Sequence, residues 1–384
     1  MSEEPLRVAL DLSCALEGPL TGVGYAAWRQ AHALASLEAP LDLRLFATRA
    51  RGGAIPEDLR RNFTRCFATP CARRLKLFLW TRYNWPPLEW FCGEADIAHG
   101  MFHGLPAARN AKRMATIHDL VVFRYPETHT VSTVRTHQRL LIHAARYADA
   151  LIAVSESCRQ DVMGLLDVPP DKVFVVPNGV CLEEFEGELD SSALAHCKER
   201  LGVASDYWLY IGTIEPRKNL CRLLEAYRRV MERFPECPDL LLAGRRGWYA
   251  DPVFKAISDL RLEEKVKHAG YLPRSDVILL LRGAAGCLYP SLYEGFGLPV
   301  LEAMAARVPV LTSNVSALPE VIGPYGVLIN PEDVDELESG LETLLTRSEM
   351  CAQMVEQAYE RAQGFTWESS AKRLMEVYEI VQRR

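Results

Sequence analysis

Residues 287–305 read Cys-Leu-Tyr-Pro-Ser-Leu-Tyr-Glu-Gly-Phe-Gly-Leu-Pro-Val-Leu-Glu-Ala-Met-Ala. A short apolar run, a glycine-bearing turn and a helix-forming segment follow one another, the step from which α/β sheets are built. Gly295 and Gly297 loosen the backbone, Pro299 suits a first helical position, and the spacing predicts a helix starting near Leu298. The start of a helix carries unpartnered N–H groups and roughly half a positive charge, so the Phe296, Gly297 and Leu298 amides are suited to receive a phosphate. Glu294 and Glu302 stand eight positions apart, which is not a same-face helical spacing. They would therefore reach a ligand from two segments and accept hydrogen bonds from hydroxyls. A phosphate seat flanked by carboxylates fits a nucleotide sugar; the alternative is a buried loop and core helix with both glutamates solvated.

A second segment bears on that choice. Trp208 to Ile211 reads as a buried strand running into Gly212-Thr213-Ile214-Glu215-Pro216-Arg217-Lys218-Asn219, with an amphipathic helix beyond. Adjacent Arg217 and Lys218 at the carboxyl end of a strand stand where α/β sheets bind anions, and a planar fork beside a point charge can neutralise a departing diphosphate. Solvated cations at a helix start are the competing reading.

With both segments read, the chain resembles the GT-B glycosyltransferases of family four, a large retaining group that includes bacterial mannosyltransferases. The residues that carry the resemblance are Gly22-Val23-Gly24, Thr116-Ile117-His118-Asp119, Val154-Ser155-Glu156, Val176-Pro177-Asn178-Gly179-Val180, Gly212 to Asn219 and Glu294 to Glu302, spread over nearly the whole length. The resemblance implies two Rossmann-like parallel-sheet domains facing a central cleft, with the donor held by the second. It also implies that Arg217 and Lys218 grip the donor diphosphate, that Glu294 touches the sugar and Glu302 the ribose, and that His118 hydrogen-bonds the donor sugar.

Apolar strand candidates alternating with helix patterns agree with such parallel sheets. In the first half they are Arg7 to Leu12, Leu41 to Phe46, Ile97 to His99, Arg113 to Ile117, Ala150 to Val154 and Val173 to Val176. In the second they are Trp208 to Ile211, Leu240 to Ala243, Lys267 to Ala269, Cys287 to Tyr289, Val310 to Thr312 and Val327 to Ile329. The polar stretch Glu183 to Ser192 reads as the linker. It gives an acceptor-binding domain over 1–190, a nucleotide-sugar domain over 191–365 and a helix over 366–384 that, in relatives, crosses back to the first domain.

The 384 residues, 49% hydrophobic and 24% charged, suit two domains with filled cores. Eleven cysteines without a Cys-x2-Cys pair suggest neither a disulfide framework nor a zinc ribbon, and point to a reducing cytosol. The acidic start Met1-Ser2-Glu3-Glu4-Pro5 is unlike a signal peptide, and no apolar run reaches spanning length. A net charge of −6 argues against nucleic acid as a partner. Eight cations nonetheless stand between Arg51 and Trp90, and Arg73 to Phe91 combines Arg73, Arg74 and Lys76 with Phe78, Trp80, Tyr83, Trp85, Trp90 and Phe91. That stretch suits peripheral contact with the inner face of a membrane, or a lipid-linked acceptor; core packing of the aromatics is equally open.

Gly22-Val23-Gly24-Tyr25-Ala26-Ala27 matches a dinucleotide fingerprint, but Ser13 to Thr21 separates the strand from the first glycine, and Asp42 begins the next strand instead of ending it. A nicotinamide fold needs the turn at once; the resemblance implies instead that Gly22, Val23 and Gly24 belong to a lid loop over the cleft, close to acceptor and donor phosphate. His118, with Asp119, would be presented at a strand's carboxyl end. His99 and His103, four apart, could hold a metal on a helix, but Gly100 and Gly104-Leu105-Pro106 argue for a loop, so both are expected to line the acceptor side or pack. Asp333 to Asp335 reads as a helix start.

No metal or other cofactor is implied, since Arg217, Lys218 and the helix start can stabilise a leaving diphosphate. The resemblance suggests retention through an ion-pair-like path. GDP-mannose is the expected donor, with GDP-rhamnose and UDP- or dTDP-sugars open. The base is placed near Gly270-Tyr271-Leu272-Pro273. A glycan or lipid-linked acceptor in surface-polysaccharide or glycolipid assembly follows from the family's uses. A nonhydrolysing sugar-nucleotide epimerase shares the fold but needs an acid-base carboxylate pair, which cannot be assigned. A noncatalytic glycan-binding relative would more naturally have lost Lys218 or Glu294.

Overall fold

The computed structural model describes residues 4–16, 21–48, 57–69 and 71–384. Met1 to Glu3, part of the Ser13–Thr21 segment and Arg51 lie outside them. The chain divides into two compact units, one of Met1–Arg124, Val131–Gly179 and Phe365–Arg384, the other of Tyr125–Thr130 and Val180–Gly364. The division falls at Gly179, eleven residues before the sequence-based boundary, because the expected linker begins inside the second unit: Phe185 is buried and Glu184 pairs with Arg274.

The first unit holds a parallel sheet of β1 (Leu6–Asp11), β2 (Leu41–Thr48), β3 (Arg65–Thr69), β4 (Ile97–Gly100), β5 (Lys112–Ile117), β6 (Ala150–Ala153) and β7 (Val173–Val175), ordered β3-β2-β1-β4-β5-β6-β7. Central strands are buried on both faces, as a parallel sheet demands, so they appear in the sequence as apolar runs. β3 was not expected from sequence; it is an edge strand, exposed at Arg65, Phe67 and Ala68, and lacks that signature.

The second unit holds β8 (Tyr207–Ile211), β9 (Asp239–Ala243), β10 (Val266–Gly270), β11 (Gly286–Tyr289), β12 (Val310–Ser313) and β13 (Val327–Ile329), ordered β10-β9-β8-β11-β12-β13, again parallel. In each sheet the order reverses once, between β1 and β4 and between β8 and β11. Loops leaving the carboxyl ends of those pairs diverge to opposite faces, and open α/β sheets bind ligands at that point.

The last helix, Trp367–Arg383, belongs to the first unit. Its Ala371, Leu374, Val377, Tyr378 and Val381 join Val8, Leu10, Ala27, Ala31 and Leu34 in one core, against the helix Gly22–Ala35. Full burial of each larger apolar side chain is worth about 1.5–3 kcal/mol, enough to hold the helix in place. A Cβ on Gly179 would fall 2.3 Å from the Trp367 amide nitrogen, so only glycine lets the chain end pass so close.

Candidate active site

At the reversal point of the second sheet, the loop after β8 and the loop after β11 bring the sequence-marked charges together. A single 3-10 turn, Pro216–Lys218, carries Arg217 and Lys218, and Asn219 in the left-handed conformation (φ 60°) redirects the chain into the helix Leu220–Arg233. Lys218 is 6% exposed; its ammonium donates to Glu294 Oε1 and to the Tyr289 hydroxyl, each at 2.5 Å, and lies 4.7 Å from the centre of the Tyr289 ring. The Arg217 guanidinium spans two carboxylates, Nη1 to Glu294 Oε2 at 2.7 Å and Nη2 to Glu215 Oε1 at 2.7 Å. Its Nη1 also donates to the Tyr293 carbonyl at 2.8 Å. Ser316 Oγ accepts the Glu294 N–H at 2.9 Å, which fixes that loop from the far side.

Burial pushes the Glu294 carboxyl up, but the charges of Arg217 and Lys218 outweigh it and hold the group down at about 2. Burial together with Arg217 lowers the Lys218 ammonium, and Glu294 and Glu215 oppose that shift. The result is a buried quartet of two cations and two anions. Each cation is satisfied by carboxylates that a diphosphate could replace.

The helix Leu298–Ala305 begins where expected, after Gly297 at φ 106°, where a Cβ would sit 2.7 Å from Leu318 Cδ2. Gly295, Phe296 and Gly297 are buried and Leu298 is half-buried, next to Glu294. Glu302, also buried, is held by Arg274 Nη1 at 2.5 Å, and the same guanidinium pairs with Glu184 Oε2 at 2.7 Å. Arg274 and Glu215 had no signal in the sequence, being defined by partners far away or by local geometry. Gly212 and Thr213 leave β8 with the Gly212 N–H donating to the Ala243 carbonyl at 2.9 Å and the Tyr210 hydroxyl donating to the Thr213 carbonyl at 3.0 Å. Gly244 directly follows β9, and a Cβ there would fall 1.8 Å from the Gly212 carbonyl oxygen. A glycine directly after a strand, as Gly212 is after β8, was the available signal for it. Tyr271, 60% exposed, and half-buried Leu272 follow β10.

In the first unit, His118 follows β5 as expected and is buried. Its Nε2 faces the Met101 carbonyl at 3.1 Å, and burial holds the ring below the ordinary imidazole range. A carbonyl only accepts, so Nε2 carries the hydrogen and Nδ1 is left to meet a ligand. His118 also lines a small cavity of about 20 Å³ with Gln30, Thr116 and Asn178, too small for a sugar. Asp119 accepts the Val121 N–H at 3.2 Å and so starts a short helix. His99 packs: it is fully buried on β4 between the Tyr378 hydroxyl (2.7 Å) and Thr116 Oγ1 (2.9 Å). His103 is buried beside His118.

Two expectations are corrected. Gly22, Val23 and Gly24 are not a lid loop but the first turn of the helix Gly22–Ala35, because Thr21 caps it by accepting the Gly24 N–H at 3.2 Å. Lys76 is not a surface cation: it is 4% exposed and pairs with Asp11 Oδ2 at 2.6 Å. Asp333, as expected, caps the helix Val334–Thr346. Among the described residues no cluster of three or more His, Cys, Asp or Glu side chains could hold a metal ion, and no helix is long and apolar enough to cross a membrane.

The family described as "Glycosyltransferase Family 4" matches residues 20–184, and "Glycosyl transferases group 1" matches 197–361. O-antigen chain mannosyltransferase B of Escherichia coli is 33% identical over 286 residues, covering 74% of each chain. Sucrose-phosphate synthase from Thermosynechococcus elongatus superposes with a TM-score of 0.76 at 18% identity, over 98% of this chain and 99% of that one. Anabaena Alr3699/HepE in complex with UDP-glucose gives 0.71 at 17% identity, over 98% and 100%. At such identities the structures speak for the fold alone, two parallel-sheet units of the GT-B class.

Proposed function

The chain belongs to the group 1, family 4 glycosyltransferases, and we propose that it transfers mannose from GDP-mannose, with retention, to a glycan or lipid-linked acceptor in surface-polysaccharide or glycolipid synthesis. The observation that carries this reading is the convergence of Arg217, Lys218 and Glu294 beside the start of the helix Leu298–Ala305. Mannose rests on the resemblance to the Escherichia coli enzyme.

An arriving diphosphate takes over Arg217 and Lys218 and draws on the helix-start amides, which releases Glu294 to accept hydrogen bonds from sugar hydroxyls. Glu302, steadied by Arg274, is placed for the ribose hydroxyls. As the glycosidic bond to phosphate breaks, the cations and amides stabilise the leaving oxygens. His118 Nδ1 accepts from the sugar, and the departing phosphate oxygen takes the acceptor's proton on the same face. Positive charge for the leaving group thus comes from side chains and amides, so we expect turnover to persist in EDTA. Calorimetry should show GDP-mannose binding more tightly than UDP- or dTDP-sugars. Binding of no activated sugar, or loss of turnover with EDTA, would overturn the proposal. Conversion of the donor without any acceptor would mark an epimerase instead.

The first unit further suggests peripheral contact with a membrane. On the helix Arg73–Tyr83, Lys76 and Trp80 turn inward while Arg74, Leu75, Phe78, Arg82 and Tyr83 are exposed. Trp85 and Trp90, 49% and 63% exposed, pack edge-to-face at 5.9 Å beyond it. The only acid of residues 73–91, Glu89, is turned to accept three backbone N–H groups from Arg109, Asn110 and Ala111. Amphipathic aromatic rings edged by arginines suit an anionic lipid interface. Sedimentation with anionic vesicles should retain the protein, and Arg74→Glu with Arg82→Glu and Trp90→Ala should release it. An intact protein that stays in the supernatant would end this part of the reading.

A further inference from the structure

His103 lies in the loop after β4, at the point where the first sheet reverses its strand order. Its ring is 2% exposed, stacks on Phe102 at 4.2 Å and meets His137 edge-on at 5.6 Å. The guanidinium of Arg73 lies 5.1 Å from the centre of the Phe102 ring. The His118 N–H donates to His103 Nε2 at 3.4 Å, so that nitrogen bears no hydrogen. Burial, with His137, His118 and Arg73 as basic neighbours, holds the ring well below the ordinary imidazole range and therefore neutral. In a neutral ring whose Nε2 accepts, the hydrogen sits on Nδ1. That Nδ1 is buried and has no hydrogen-bond partner among the described residues.

An unmade buried donor costs about 1–3 kcal/mol, so a fold that keeps one at a sheet reversal keeps it for an oxygen that arrives with a ligand. The surrounding charge selects the kind of oxygen: the Arg73 guanidinium favours an anionic one. We propose that His103 Nδ1–H, with Arg73 beside it, seats a phosphate oxygen of the acceptor substrate, separately from the donor diphosphate held in the second unit. His103 is thereby a positioning residue for His118 through Nε2 and a ligand contact through Nδ1. Assigning the phosphate to the acceptor rests on the glycosyltransfer reading; the seat itself does not.

The test uses the full chain with GDP at saturation, so that the second unit's phosphate seat is filled. Imidazole ¹⁵N spectra of the wild type should show His103 protonated at Nδ1, and titration with inorganic pyrophosphate should shift that resonance. Glutamine keeps an acceptor at the Nε2 position and removes the Nδ1 donor. His103→Gln should therefore weaken pyrophosphate by about tenfold while leaving GDP affinity within about twofold. Farnesyl diphosphate binding more tightly than pyrophosphate would identify a lipid-linked source, and equal binding a free one; both uphold the seat. Unchanged pyrophosphate affinity in His103→Gln, no binding by the wild type, or an unprotonated Nδ1 would each overturn it. The wild-type spectrum decides the matter even if the variant does not fold. Should the wild type take no GDP, the GDP-mannose reading fails, and the pyrophosphate titration still judges the seat.

Discussion

Glu294→Ala should lower turnover by roughly 10²–10³-fold or more and also weaken the folded protein. The catalytic loss follows from removing the carboxylate proposed to hold the sugar. The stability loss follows from its second task, since Arg217 and Lys218 both rest on it at 2.7 and 2.5 Å in a buried site. Breaking a buried ion pair from one side typically costs about 3–5 kcal/mol. Glu294→Gln keeps the shape and removes the charge, so it should lose activity to a similar degree with less damage to the fold. Acid adds an independent arm. The folded carboxyl is held at about 2 against an ordinary 4.5. A depressed folded value means that its stabilisation is fully present above about pH 4.5 and disappears as pH falls towards 2. Denaturant melts across that window should show a component in the wild type that Glu294→Gln lacks. Near-normal turnover in both variants would remove Glu294 from the site, and identical acid profiles would remove it from the ion pairs.

Gly244→Ala should be nearly as damaging, at a residue that bears no chemistry. Its new carbon would meet the Gly212 carbonyl oxygen at 1.8 Å, which is backbone and cannot swing aside. The two loop ends are laced together by the Gly212 N–H to Ala243 carbonyl bond at 2.9 Å and the Ile214 N–H to Arg245 carbonyl bond at 3.0 Å, and the Gly244 N–H is tied on the other side to the Gly270 carbonyl at 2.8 Å. Relief therefore has to displace Gly212 and Thr213, and with them the turn bearing Arg217 and Lys218. Overpacking of this kind costs about 1–3 kcal/mol or more, and donor affinity should fall at least about tenfold. Gly202→Ala is the control. It has φ 69° but nothing within 4 Å of the new Cβ, so only backbone strain of about 1–2 kcal/mol applies. A Gly244→Ala protein that binds donor as tightly as Gly202→Ala would show that the loop ends are not coupled.

The buried strands were legible because parallel sheets write themselves as apolar runs, and twelve of the thirteen strands overlap the stretches read from the sequence. β3 escaped because an edge strand with exposed Arg65 and Phe67 has no such run. The start of the helix at Leu298 was legible from Gly297 and Pro299, whose backbone preferences act locally. Gly22 and Gly24 misled for the opposite reason: paired glycines suggest a loop, while the decisive local fact was the capping oxygen of Thr21. Residues whose role depends on distant partners stayed hidden. Arg274 acquires its place by joining Glu302 to Glu184, and Lys76 by turning its ammonium inward to Asp11. Nor could spacing show that Glu294 would already be paired with the two cations proposed for phosphate.

The helix Trp367–Arg383 has a consequence for how the chain is made. Strands β1 to β7 are synthesised early, yet their core is closed by Leu374, Val377, Tyr378 and Val381, which leave the ribosome well after them. Residues 180–364 emerge with a complete sheet of their own before that happens. The strands made first thus belong to the unit that finishes folding later, and a chain cut short just before Trp367 has a completed second unit joined to an open first one.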